Sequence, residues 1–135
     1  MTPLFIDTGY LIALEVADDQ YHNVAFKHWQ GLLKSPLHLV TTSYVFSEIV
    51  TFFNSHNYQS KAIEIGSRLI SSPSIKFIHI DESLFYKGWQ YLKKHNDKSY
   101  SLTDCISFII MTQLEIKTAL SFDKHFMQAG FKKLP

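Results

Sequence analysis

The sequence predicts an α/β protein with a central, mainly parallel sheet covered by helices on both faces, folded as one domain over residues 1–135. Three observations lead there. Short apolar runs alternate with longer stretches whose apolar residues recur at helical spacing, the order expected when strands are buried between layers of helices. Capping and turn residues, among them Asp7, Thr42-Ser43, Ser71-Ser72-Pro73, Asp81 and Ser101, fall between those stretches. The chain has 135 residues, 46% hydrophobic and 19% charged, which suffices for one core and is too short for two full domains. Five Gly and four Pro are thinly scattered and no 20- to 50-residue period is visible, so neither linkers nor repeats are expected.

In chain order, Leu4-Phe5-Ile6 is a short buried strand ending at Asp7, and Thr8 to Val16 follows as a helix with leucine, isoleucine and alanine at helical spacing. Asp18 and Asp19 offer N-caps for a second helix with Val24, Phe26, Trp29, Leu32 and Leu33 as its apolar face, closing near Ser35-Pro36. Leu37 to Val40 is the second strand, and Thr42-Ser43 caps a helix running through Phe53. A helix over about 60–70 stops at Ser71-Ser72-Pro73, and Ile75 to Ile80 is the third strand. Asp81 caps a helix that sets Leu84, Phe85, Trp89 and Leu92 on one side. After the polar stretch His95 to Tyr100, Ser101 opens a strongly apolar helix to about Leu114, followed by a strand over Thr118 to Phe122 and a short helix from Asp123.

Charge and cysteine content bound the function. With 13 Lys+Arg against 12 Asp+Glu the formal charge is +1, so no basic excess announces a polyanion partner and no acidic excess suggests disorder. The single cysteine, Cys105, has no companion for a disulfide or a thiolate metal site, which fits a reducing, cytoplasmic setting. The N-terminal segment carries Asp7 and Glu15 and no basic leader, so it does not resemble a signal peptide. The apolar run from Cys105 to Met111 is far short of the roughly 18 residues a bilayer span needs. No membrane association is expected.

The informative residues are carboxylates at element ends. Asp7 closes the first strand and Asp123 the last one, and in open parallel sheets ligands bind in the crevice beyond the carboxyl ends of strands. Asp104 lies in the first turn of its helix, three residues after Ser101, and Glu48 lies in mid-helix within Tyr44-Val45-Phe46-Ser47-Glu48-Ile49-Val50. Asp7 and Asp123 have a competing explanation as N-caps, and Ser101-Leu102-Thr103-Asp104 as a capping box. Glu48 has no capping role. It sits on the border of an apolar arc with no lysine or arginine at helical spacing, so burial would leave its charge unpartnered. Four converging carboxylates would repel one another unless a cation lay among them. Oxygen-only ligands favour hard Mg2+ or Mn2+ over Zn2+, which points to phosphodiester chemistry.

Phe5-Ile6-Asp7-Thr8, the helical Ser47-Glu48, Ser101-Leu102-Thr103-Asp104-Cys105 and Ser121-Phe122-Asp123-Lys124-His125-Phe126 resemble the successive signature segments of the PIN domain, most of all the VapC-type ribonuclease toxins. The resemblance covers nearly the whole chain in the family's order. It implies a three-layer α/β/α sandwich with a central mainly parallel sheet, an acidic pocket holding Mg2+ or Mn2+, and metal-dependent endonuclease activity on RNA that leaves 5′-phosphate and 3′-hydroxyl ends. Asp7, Glu48, Asp104 and Asp123 match the family's acidic quartet, with Asp7 and Asp104 the usual direct ligands, and Thr8 matches the hydroxyl that commonly follows the first acid. Homodimerisation and inhibition by a cognate antitoxin are further implications.

Other residues carry weaker signals. Asp97, seven residues before Asp104, is a candidate loop ligand, with a solvated turn residue as the alternative. His125 lies two residues after Asp123, but a lone histidine in a terminal helix is ordinarily surface or packing. Cys105 would be a nucleophile only with a positioned base, and otherwise is a small buried residue. Lys93, Lys94, His95 and Lys98, together with Lys124, Lys132 and Lys133, are candidate phosphate contacts or ordinary solvated faces. Three rival classes stand beside the nuclease. One is a catalytically silent PIN-like binding module, and another a structural partner whose acids are caps. The third is an aspartyl-phosphate enzyme, against which Asp7-Thr8-Gly9 lacks a second acid two residues on.

Overall fold

The computed structural model describes residues 2–135. Twelve elements follow one another: β1 (Leu4–Ile6), α1 (Thr8–Glu15), α2 (His22–Leu32), β2 (Leu39–Thr42), α3 (Ser43–Ser55), α4 (Gln59–Ser71), β3 (Ile75–Ile78), α5 (Glu82–Lys94), α6 (Leu102–Gln113), β4 (Thr118–Leu120), α7 (His125–Gln128) and β5 (Lys132–Leu134). The strands form one sheet in the order β3-β2-β1-β4-β5, and every pairing is parallel. The helices cover it in a three-layer α/β/α arrangement, as expected.

Parallel strands need cover on both faces, and β2 shows the consequence: all four of its residues are buried. Leu39 and Val40 do so as apolar side chains. Thr41 and Thr42 satisfy their hydroxyls, Thr41 by donating to the Ile6 carbonyl at 3.3 Å and Thr42 by accepting from Val45 N–H at 3.2 Å as the N-cap of α3. The core continues through Phe5, Ile6, Val45, Ile49, Phe53, Phe108, Met111, Leu120 and Phe126. α6 lies deepest of the helices, with every residue from Thr103 to Met111 buried except Ile109, and α5 packs closely against it. A Cβ at Gly88 of α5 would stand 2.5 Å from Ile106 Cγ1, so that contact requires glycine.

The structure departs from expectation in several places. α2 begins at His22 and not beside Asp18 and Asp19; Asp19 instead accepts from Tyr21 N–H at 2.9 Å within the preceding turn. Its expected apolar face is only partly buried: Val24, Phe26 and Leu33 are exposed, and Ala25 is the fully buried residue. α2 lies against α1, so the helix has cover for one narrow stripe only. Trp89 is likewise exposed, with Lys93 Nζ 5.7 Å from its ring centroid, while Gly88 and Leu92 face inward. β5 was not expected. It is three residues long and starts with two lysines, a composition that suits an edge strand and leaves no apolar run to read.

Candidate metal centre

The four acids arrive from four segments that the parallel topology delivers to one end of the sheet. Asp7 follows β1, Glu48 projects from α3, Asp104 stands in the first turn of α6, and Asp123 follows β4. All four line a single cleft of about 590 Å³ together with Thr8, Tyr21, Phe122 and His125.

Asp7 occupies the N-cap position of α1 but makes no side-chain capping hydrogen bond. Its Oδ2 accepts from Ser121 Oγ at 3.0 Å, and its backbone N–H donates to the Leu120 carbonyl at 3.1 Å, seating it between the central strands β1 and β4. The capping account therefore fails for Asp7. Burial pushes its carboxyl up from 3.8 to about 7, and the charges of Asp104 and Asp123 add to the effect; the Thr8 backbone and the Ser121 hydroxyl oppose it.

Asp104 does complete a capping box: Ser101 Oγ accepts from Asp104 N–H at 3.0 Å, and Asp104 Oδ2 accepts from Ser101 N–H at 3.1 Å. Capping and site membership coexist, because a carboxylate has two oxygens. Burial, reinforced by Asp123, raises its pKa against the hydrogen bonds of Ser101 and His125. Asp123 is anchored through Oδ1, which accepts from His125 N–H at 2.9 Å, while its own N–H donates to Ser121 Oγ at 2.9 Å.

Glu48 belongs to the cleft for a reason other than the one its sequence position offered. It is exposed, so no desolvation cost demands a partner; its Oε1 accepts from Thr8 Oγ1 at 2.7 Å. Thr8 thus ties α3 to the turn that carries Asp7.

Two residues carry more of the site than sequence reasoning assigned them. His125 Nδ1 lies 3.1 Å from Asp104 Oδ2 and 3.2 Å from Asp123 Oδ1, bridging the two acids, so the surface-or-packing expectation is corrected. Ser121 is fully buried and joins Asp7 to Asp123 through one hydroxyl. The Ser-x-Asp-x-His spacing over 121–125 was the available signal, since residues two apart beyond a strand end can return to one carboxylate.

The remaining candidates lie outside the cleft lining. Asp97 is exposed in the turn after α5, 3.7 Å from its neighbour Lys98, as a solvated turn residue. Lys93 and Lys94 line a separate groove with Tyr86, Gln90 and Ile109, and exposed Lys98 and Lys124 are absent from the acidic cleft. Cys105 is buried and its thiol is pushed up to about 11, chiefly by burial and then by Asp104, which excludes a thiolate nucleophile at neutral pH.

The donor set fits a divalent cation. Asp104, Asp123 and His125 each offer a ligand atom, and these atoms lie within 4.8 Å of one another. The structural hydrogen bonds engage Oδ2 of Asp104 and Oδ1 of Asp123, so Oδ1 of Asp104 and Oδ2 of Asp123 have no hydrogen-bond partner among the described residues. Crowded carboxylates, two of which, Asp7 and Asp104, burial holds above the usual range, with oriented, unengaged oxygens beside them, are what a cation relieves.

Comparison with known proteins places the chain in a family. Two relatives, the 23S rRNA-specific endonuclease VapC20 of two strains of Mycobacterium tuberculosis, are each 30% identical over 128 residues, covering 95% of this chain and 95% of theirs. The crystal structure of Mycobacterium tuberculosis VapC20, described as a sarcin-ricin loop cleaving toxin, superposes with a TM-score of 0.85 at 28% identity over 95% of each chain. FitAcB from Neisseria gonorrhoeae shares the fold, with a TM-score of 0.64 at 17% identity, covering 98% of this chain and 96% of that one. The PIN domain model matches residues 4–132, and with that span and those end-to-end relatives the chain belongs to the PIN domain family.

Proposed function

We propose that this protein is a Mg2+- or Mn2+-dependent endoribonuclease that hydrolyses RNA phosphodiester bonds as a VapC-type toxin. The observation that carries this reading is the convergence of Asp7, Glu48, Asp104 and Asp123 in one cleft, from segments far apart in sequence. Its substrate class follows the VapC20 relative, a 23S rRNA-specific endonuclease. On this reading the protein acts in the cytoplasm, associates with a second copy of itself, and is silenced by a cognate antitoxin that covers the cleft. Among the described residues no helix is long and apolar enough to cross a membrane.

Asp7, Asp104 and Asp123 hold the cation, and when bound it supplies the Lewis acidity that phosphodiester hydrolysis needs. Ser121 keeps Asp7 and Asp123 in register, and His125 with Ser101 fixes the rotamer of Asp104. Glu48, held by Thr8 through Oε1, presents Oε2 to orient the attacking water and accept its proton. Without a cation the four acids repel phosphate, so RNA engagement and cation binding are coupled.

The test is cleavage of an oligoribonucleotide carrying the sarcin-ricin loop, with Mn2+, with Mg2+ and with EDTA. Wild type cleaves with metal only, and Asp104→Asn loses at least 100-fold, on the order of one direct charged ligand. Metal-independent cleavage, or full activity in the variant, would refute the assignment.

A further inference from the structure

Among the described residues no lysine or arginine lines the acidic cleft, and the chain carries a formal charge of only +1. The usual source of RNA affinity, ion pairing with phosphates, is therefore missing where the scissile bond must sit. Among the uncharged residues that line the cleft are three aromatic rings, Tyr21, Phe52 and Phe122, and two of them are stacked. Phe122 and Tyr21 lie face to face at 4.4 Å with planes 4° apart, and Tyr10 continues the series beneath Phe122 at 5.9 Å and 16°. The three near-parallel rings step from the core to the rim: Tyr10 is fully buried, Phe122 half-buried, and Tyr21 41% exposed.

The backbone that carries the outermost ring is anchored on both sides, and the ring itself rests on Phe122. Tyr21 N–H donates to Asp19 Oδ2 at 2.9 Å, and the next residue, His22, bonds through Nδ1 to the Ala13 carbonyl at 2.7 Å. Phe122 is fixed between Ser121, which holds Asp7, and Asp123. The stack is thus built onto the same short segment that positions the acids. A tyrosine kept flat on one face, with a large part of its ring open to a cleft, has the geometry of a base-stacking surface.

We propose that Tyr21, backed by Phe122, is the stacking platform for one unpaired nucleobase flanking the phosphodiester that enters the acidic cleft. This rests on the ribonuclease reading above and adds the substrate contact that the acids cannot make. Stacking is tolerant of base identity, so the platform selects for an unpaired nucleotide at that position and not for a particular base. A loop or splayed strand meets that requirement, and a continuous duplex does not.

The experiment uses single-stranded oligoribonucleotides that wild type cleaves, with 2-aminopurine or an abasic residue placed at successive positions around the cut. Rapid mixing in Mn2+ quenches 2-aminopurine at one position before cleavage, and Tyr21→Ala and Tyr21→Leu abolish that quench. Both raise KM by about 5- to 150-fold, the range for one stacked base, with a much smaller change in kcat, whereas Tyr21→Phe and Tyr21→Trp retain wild-type values. Removing the base at the quenched position weakens wild type by a similar factor and leaves Tyr21→Leu unaffected. The proposal is overturned if Tyr21→Leu keeps the wild-type KM and quench, or if its defect is the same with and without the base. Absence of any metal-dependent cleavage by wild type would instead sink the ribonuclease reading itself.

Discussion

Asp7→Asn in the metal-free protein isolates the electrostatic strain of the acidic cleft. In the folded state burial and the neighbouring aspartates move the Asp7 carboxyl from 3.8 to about 7. A folded pKa above the unfolded one means that the native state binds the extra proton between those values, so stability falls as pH rises from about 4 to about 7 and is level above that. The shift corresponds to roughly 4 kcal/mol lost at pH 8 relative to pH 4. Asparagine removes the charge while its oxygen still accepts from Ser121 Oγ, so the hydrogen bond at 3.0 Å survives. With 1 kcal/mol worth about 3–6 °C in a domain of this size, Asp7→Asn in EDTA should melt on the order of 10 °C above wild type at pH 8. The gap should close towards pH 5. Saturating Mn2+ should reverse the order, raising the wild-type Tm and leaving the variant where it was. Thermal melts of both proteins across pH 5–8, with EDTA and with Mn2+, measure all three effects. A variant less stable than wild type at pH 8 in EDTA, or a difference indifferent to pH, would refute the reasoning and return Asp7 to a purely structural role.

Three further outcomes follow from the geometry. Glu48→Gln keeps the acceptor for Thr8 Oγ1 and the side-chain volume, so the melting temperature should stay within about 2 °C while cleavage falls about 100-fold or more, the lower end of a general base's contribution; wild-type cleavage would remove Glu48 from the chemistry. Ser121→Ala unties Asp7 and Asp123 together and should lower stability by about 1–3 kcal/mol in denaturant titration and weaken Mn2+ binding by calorimetry; unchanged Mn2+ affinity would show that the acids hold their places without it. Gly88→Ala drives a methyl group against Ile106 and should cost about 1–3 kcal/mol, with α6 displaced enough to depress activity as well; a neutral result would mean that α5 and α6 separate freely.

The order of strands and helices was legible because it rests on local chemistry. Apolar runs such as Leu4-Phe5-Ile6 and Leu39-Val40, and caps such as Thr42, Asp81 and Ser101, act through neighbours a few residues away. The acids could be found for a related reason: a parallel sheet exposes the carboxyl ends of its strands at one edge, so Asp7 and Asp123 had one place to go. The desolvation argument for Glu48 does not hold, because its carboxylate is exposed; its place in the cleft lining goes with the Thr8 hydroxyl, 40 residues away, which no local pattern announces.

What only the tertiary structure decided has long-range partners or depends on who covers a face. α2 packs chiefly against α1, which leaves Val24, Phe26 and Leu33 exposed, and β5 pairs with the edge that β4 offers although its three residues carry no apolar pattern. Ser121 reaches Asp7 across 114 residues, and His125 reaches Asp104 across 21. Periodicity registers the burial of a segment, a one-body property repeated along the chain. A bridge between two carboxylates is a pairing of single side chains, and nothing repeats to reveal it until the sheet brings the two ends together.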